Sequence, residues 1–161
     1  GEINRDEVPT PTLTLAIAPV KGDNTDLVVE KLVEIGIDRI VVLAPVERSV
    51  VRWAPDKTEK ILDRYQRIVR AAAMQSRRVF LPVVVGPVDL SAVLVDGAAI
   101  AEPGGSASLD EVTTMVIGPE GGFSPSEVAR AHLTVDLGPA VLRAATAAMV
   151  GAARMVAHWR R

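Results

Sequence analysis

The residues of this chain best suited to chemistry are concentrated at Ile117-Gly118-Pro119-Glu120-Gly121-Gly122-Phe123. An apolar run, Val112 to Ile117, leads into this turn, and Ser124-Pro125-Ser126-Glu127 follows as a helix start. Such a strand-turn-helix junction can hold a ligand. Glycine lets the main chain approach a ligand closely, and the free N–H groups of the next helical turn can receive an anionic or polar group. A second glycine turn, Leu137-Gly138-Pro139, leads into Leu142-Arg143-Ala144-Ala145-Thr146-Ala147. Two such turns point to one site built largely from backbone; a plain tight connection is the competing reading of the first. No GK[ST] follows and the glycines do not read GxGxxG, so phosphate-loop and dinucleotide chemistry are not indicated. Arg143 stands between the second turn and a helix start, where a cation could serve a bound ligand.

Other chemistries find little support. There is no cysteine, hence no disulfide, thiolate metal site or cysteine nucleophile. His132 and His158 are isolated, without metal-ligand spacing. Neither a Ser/His/Asp arrangement nor a paired-carboxylate site is evident. Glu30 and Glu34, with Lys31 beside them, read as a solvated helix face. Arg64, Arg67, Arg70, Arg77 and Arg78 lie on or just past one helix, with Arg48 and Arg52 upstream. Phosphate contact fits these cations, but no aromatic residues interleave them for base stacking.

The elements that must position these residues follow from hydrophobic spacing and breakers. Residues 1–11 read as a linker. Strands are expected at Thr12–Ala18, Arg39–Ala44, Phe80–Val85, Ala98–Ala101, Val112–Ile117 and Leu133–Leu137. A helix capped by Asp23 or Asn24 runs to about Ile35 with Gly36 as its stop, its apolar positions Val28, Leu32 and Ile35 on one face. A long helix from Asp56 to about Ser76 carries Ile61, Tyr65, Ile68 and Ala72 as its stripe. Short helices are expected at Leu90–Leu94 and Ser124–Ala131, and a last helix from Ala144. The βαβαβαβαβα alternation predicts an α/β fold, a parallel sheet with helices on both faces. The last helix is small and apolar nearly all round through Ala153, which suits either core or a subunit interface.

With 161 residues the chain suffices for one domain with a real core. At 48% hydrophobic and 24% charged it is globular, and at 3% aromatic its core must be small aliphatic packing. The formal charge of −2 means that any nucleic-acid contact must come from a local basic patch. No apolar run approaches bilayer length and the first residues lack a signal-peptide pattern; the absence of cysteine fits a reducing cytoplasm, which is the expected location.

Further signatures occur in order: Lys21-Gly22; Glu30-Lys31 with Glu34 and Gly36; Glu47-Arg48-Ser49; Arg64 with Ile68, Ala72, Gln75 and Arg78, then Leu81-Pro82; and the two glycine turns with Glu127 and Leu142-Arg143. From about Leu13 to its end the chain resembles the catalytic domain of the bacterial 16S ribosomal RNA uridine-N3 methyltransferases, ribosomal RNA small-subunit methyltransferase E. These belong to the SPOUT superfamily of knotted, S-adenosylmethionine-dependent RNA methyltransferases. The resemblance departs at Ala144 and Ala145, where the family usually has threonine and glutamate, and at Ala140, Ala71, Met74 and Tyr65.

The resemblance implies a SPOUT methyltransferase domain over residues 12–161 with a trefoil knot formed by its C-terminal segment, a homodimer with the last helix in its interface, and a preceding RNA-binding domain of the PUA type joined through residues 1–11. It implies S-adenosylmethionine held by Glu102, Ile117, Gly118, Pro119, Glu120, Gly121, Gly122, Leu137, Gly138, Leu142, Arg143, Ala144 and Ala147, with no metal. Methyl transfer to uridine N3 requires loss of a weakly acidic proton. Arg143 would stabilise the developing uridine anion or orient the base, and Glu120 would accept the proton. Arg48, Arg64, Gln75 and Arg78 would contact 16S ribosomal RNA of the small subunit. Alternatives of the same fold are ribose 2′-O methylation, or a non-catalytic knotted dimer that binds RNA or nucleotide.

Overall fold

The computed structural model describes residues 9–22 and 24–160. Residues 1–8 of the expected linker at 1–11 and the Asp23 cap lie outside the described residues. Six strands form one parallel sheet: β1 (Thr14–Ile17), β2 (Arg39–Leu43), β3 (Val83–Val88), β4 (Ala98–Ala101), β5 (Thr114–Ile117) and β6 (Leu133–Val135). The helices are α1 (Asn24–Ile35), α2 (Pro55–Gln75), α3 (Leu90–Val93), α4 (Pro125–Val128) and α5 (Ala144–Trp159).

The strand order is β3-β2-β1-β5-β4-β6. The first three strands build outward from β1. The chain then crosses to the other side, where β5 inserts between β1 and β4, pairing Ile17 with Ile117 and Ile100 with Val116. No α-helix separates β4 from β5, which departs from the expected alternation. A single 3-10 turn, Leu109–Glu111, connects them, capped by the Ser108 hydroxyl accepting from the Asp110 amide.

Strand side chains alternate between two buried faces, as a parallel sheet covered on both sides requires. Leu15, Ile17, Ile40, Val42, Met115 and Ile117 pack with α1, α2 and α5. Ala16, Val41, Leu43, Ile100 and Val116 pack on the other side with Leu90, Val93 and Phe123. In α2 the fully buried stripe is Tyr65, Val69, Ala72 and Ala73, while Ile61 and Ile68 are only half-buried. Tyr65 packs against Trp53 at 6.1 Å between ring centroids.

The start of α5 closes the site described below, and its seat depends on small residues. Ala144, Ala148, Gly151, Ala152 and Met155 face inward. A Cβ at Gly151 would stand 3.2 Å from Met115 Cγ, so the absent side chain is what lets α5 approach β5. The far end is pinned by Trp159 Nε1 donating to the Val112 carbonyl at 2.9 Å and by Arg160 donating to Asp38 at 2.7 Å. The outer face, including Thr146, Ala153 and Ala157, is exposed, so within one chain this helix is buried on one side only.

Candidate functional site

Open α/β sheets bind ligands beyond the carboxyl ends of their strands. Here a cavity of about 300 Å³ lies at the ends of β4, β5 and β6, under the start of α5. That volume is at the lower end of the range for small-molecule sites. Its walls are Ala101, Glu102 and Pro103 after β4; Ile117 to Phe123 after β5; Asp136, Leu137 and Gly138 after β6; and Ala140, Val141, Leu142, Ala144 and Ala147. Arg48 reaches it from the loop after β2.

The loop after β5 turns tightly because its glycines permit it. The Gly122 amide donates to the Pro119 carbonyl at 2.8 Å, and Gly122 has φ +69°, a conformation that disfavours side chains. A Cβ at Gly118 would lie 3.1 Å from the Phe123 ring. Glu120 is turned toward the β1–α1 loop, where its Oε1 accepts from the Lys21 amide at 2.8 Å.

The turn is then anchored to its neighbours. Ser124 and Glu127 form a reciprocal cap of α4, the Ser124 amide donating to Glu127 Oε2 at 2.8 Å and the Glu127 amide donating to Ser124 Oγ at 3.3 Å. Glu127 is buried, and its other oxygen accepts the Glu47 amide at 2.9 Å. Ser126 Oγ donates to Glu47 Oε1 at 3.1 Å. Arg48 donates to the carbonyls of Gly121 and Phe123.

On the opposite wall Asp136 Oδ2 accepts the Gly104 amide at 2.9 Å and Oδ1 accepts the Gly138 amide at 2.8 Å. These two amides, Gly138 first, hold its carboxyl below the usual aspartate range, helped by the charge of Arg154. Arg154 also donates to the Asp136 main-chain carbonyl.

The structure brings together Glu102, Ile117, Gly118, Pro119, Glu120, Gly121, Gly122, Leu137, Gly138, Leu142, Ala144 and Ala147 around one cavity. Arg143 is different. It occupies the N-cap of α5 in extended conformation, its side chain exposed, and does not line the cavity although Leu142 and Ala144 do.

The four residues expected at RNA separate. Arg78 is committed internally: it donates to the carbonyls of Val33 and Ile37 and to Asp38 Oδ1 at 2.9 Å, with 13% of its side chain exposed. Asp38 also accepts from Arg160 and from the Leu13 amide, so Arg78 belongs to a clamp joining β1, β2 and the ends of α2 and α5. With most of its side chain buried and three of its N–H groups bound within the fold, Arg78 is less available than the other cations for the expected phosphate contact. Arg64 pairs with Asp26 at 2.9 Å and sits 5.9 Å from the Tyr65 ring centroid. Gln75 is exposed at the end of α2. Arg48 braces the cavity.

Asp136, Phe123, Ala101, Pro103, Ala140 and Val141 line the cavity without having been singled out as ligand residues. For Asp136 one signal was available: an acidic residue two positions before a glycine can accept that glycine's amide.

The family model for the RNA methyltransferase domain matches residues 6–156. The chain belongs to that family. This RNA methyltransferase domain is 33% identical to the ribosomal RNA small subunit methyltransferase E of Mycobacterium bovis, over 87% of this chain and 61% of that protein. Among solved structures it resembles a ribosomal RNA small subunit methyltransferase E from Neisseria gonorrhoeae bound to S-adenosyl methionine, at TM-score 0.80 and 28% identity, covering 96% of this chain and 71% of that one. A SpoU methyltransferase from Streptomyces viridochromogenes, in complex with AdoMet, shares the fold at TM-score 0.57 and 13% identity. The domain spans about three-fifths of the length of the Mycobacterium relative. No helix among the described residues is long and apolar enough to cross a membrane.

Proposed function

We propose that this RNA methyltransferase domain transfers a methyl group from S-adenosylmethionine to N3 of a uridine in 16S ribosomal RNA of the small subunit, in the cytoplasm. The observation that carries the reading is the cavity at Gly118–Gly122 and Leu137–Gly138, together with the likeness to a relative bound to S-adenosyl methionine.

The cavity suits that cofactor chemically. Main-chain groups of two glycine turns are available to a purine and a ribose. Ile117, Leu137, Leu142 and Ala147 offer apolar surface. Glu102, Glu120 and Asp136 supply negative charge near a cationic ligand. Bound there, S-adenosylmethionine would supply an electrophilic methyl group.

The residues then have the following roles. The two turns would hold the methyl donor and orient it toward the incoming nitrogen, and positioning of this kind supplies much of the acceleration. Glu120, fixed at the rim by the Lys21 amide, accepts the N3 proton. Arg143, at the positive end of α5, stabilises the charge that develops on the uracil ring. Arg64, Gln75 and the exposed cations of α2 meet RNA.

We also infer a trefoil knot and a homodimer. Support for the knot comes from β6 lying at the sheet edge beyond β4, while the chain after it returns to put α5 against α1, β5 and β1. Support for the dimer comes from the half-buried Met149 and Val150 and the exposed Ala153 on the outer face of α5. Small ribosomal subunits lacking the modification, incubated with the protein and S-adenosylmethionine and then digested to nucleosides, test the reaction. 3-Methyluridine is the expected product; 2′-O-methylated nucleoside would favour the alternative chemistry, and no methylation would favour a binding role.

A further inference from the structure

Asp136 directly follows β6 and lines the cavity, and its two carboxylate oxygens serve two different loops. Oδ2 accepts from Gly104, one residue beyond the cavity wall at Glu102 and Pro103. Oδ1 accepts from Gly138, inside the opposite glycine turn. Neither glycine resists distortion by packing: Gly104 and Gly138 have φ +79° and +152°, and a Cβ at either would meet nothing within 4 Å. Such residues are held by hydrogen bonds, and a charged acceptor makes the stronger kind. We propose that Asp136 is a positioning residue of the cofactor site, tying the loop after β4 to the loop after β6 and so fixing the gap in which S-adenosylmethionine binds. This inference rests on the cofactor reading above.

The tie acts on the loops and leaves the frame alone. Arg154 binds the main-chain carbonyl of Asp136, and the Asp136 amide donates to the Gly105 carbonyl at 3.3 Å. Both contacts survive truncation of the side chain. The Glu102 amide also keeps its bond to the Val135 carbonyl at 3.0 Å. Loss of the carboxylate should therefore loosen Gly104 and Gly138 while β4 and β6 stay paired.

Calorimetric titration with S-adenosylmethionine is compared for the whole protein and for Asp136→Ala and Asp136→Asn. The amide oxygen of asparagine can accept one of the two N–H groups, so the dissociation constants should rise in the order wild type, Asp136→Asn, Asp136→Ala. The alanine variant should be weakened about tenfold or more. In turnover assays the KM for S-adenosylmethionine should rise by a similar factor, with kcat at saturation nearly unchanged. Amide exchange of the free proteins should be accelerated at Gly104 and Gly138 in Asp136→Ala and unchanged in β4 and β5. Wild-type binding with Asp136→Ala within twofold of it would overturn the positioning role. Absence of binding by the wild type would instead overturn the cofactor reading, and the inference with it. Uniformly accelerated exchange across the sheet would show a residue of general stability and would equally overturn the proposal.

Discussion

Arg48 donates from one guanidinium nitrogen to the main-chain carbonyls of both Gly121, at 3.1 Å, and Phe123, at 3.3 Å. The loop after β2 thereby holds the loop after β5 from outside. Its Cβ also packs close to Gly121, where a side chain would come within 3.3 Å. Arg48→Ala is expected to weaken S-adenosylmethionine binding by about tenfold, the size of one lost charge-assisted contact. Lysine should restore only part, because its ammonium sits on a flexible stem and is not held in place as the planar guanidinium is. Calorimetry on both variants, beside RNA binding at several salt concentrations, checks this. Unchanged cofactor affinity with a shallower salt slope would return Arg48 to the phosphate contacts that the sequence suggested.

Arg143 precedes α5 with its side chain exposed and outside the cavity lining. If it serves the uracil ring and not the cofactor, Arg143→Ala should lower kcat by tenfold or more, about 1.4 kcal/mol, and leave S-adenosylmethionine binding near the wild-type value. A loss of cofactor affinity equal to the loss of rate would place it with the cofactor. A rate within tenfold of wild type would remove it from the mechanism.

Glu127 is buried and accepts main-chain amides from Ser124 and Glu47. Alanine would strand both donors in a dry site. The expected cost is about 2–4 kcal/mol in unfolding free energy, measured by urea denaturation. Glutamine, which offers one acceptor oxygen, should lose less. A cost under about 0.5 kcal/mol for alanine would mean that water or loop movement satisfies both amides.

Gly105 and Gly104 make a matched pair. A Cβ at Gly105 would stand 2.5 Å from the main chain of Thr134 and Val135, which cannot yield as a side chain can. Gly105→Ala should cost about 1–3 kcal/mol and disturb β6 beside the cavity. Gly104→Ala meets open space and carries only the strain of φ +79°, about 1 kcal/mol. Thermal melts of the two variants should rank in that order; the reverse ranking would contradict the close approach of Gly105 to the β6 main chain.

The sequence made some elements legible and obscured others for identifiable reasons. Ala98–Ala101 and the start of α5 at Ala144 fell where expected, because apolar runs there end at clear breakers. The third strand was expected at Phe80–Val85 and lies at Val83–Val88. The strand continues through Gly86 and Pro87 because β3 is a sheet edge, where proline is tolerated. The α4 segment stops at Val128, four residues in all, although its pattern continued to Ala131. The strand order could not be read from the pattern, since inserting β5 between β1 and β4 leaves each strand equally apolar.

The site was legible where it is made of backbone. Glycine turns announce themselves by composition, and Gly118–Gly122 and Gly138 do meet in one cavity. Charged residues were harder to assign, because their work depends on partners distant in sequence. Arg78 is consumed by Asp38 and the carbonyls of Val33 and Ile37. Arg48 is drawn to a loop 73 residues away. Asp136 is not singled out by the sequence, because its partner Gly104 lies 32 residues away.

Calorimetric titration with S-adenosylmethionine, with ATP as the control, tests the central claim most directly. Saturable binding near one S-adenosylmethionine per chain and none of ATP is the predicted result. Binding of neither would contradict it, leaving the turns at Gly118 and Gly138 as structural connections and the non-catalytic reading in their place.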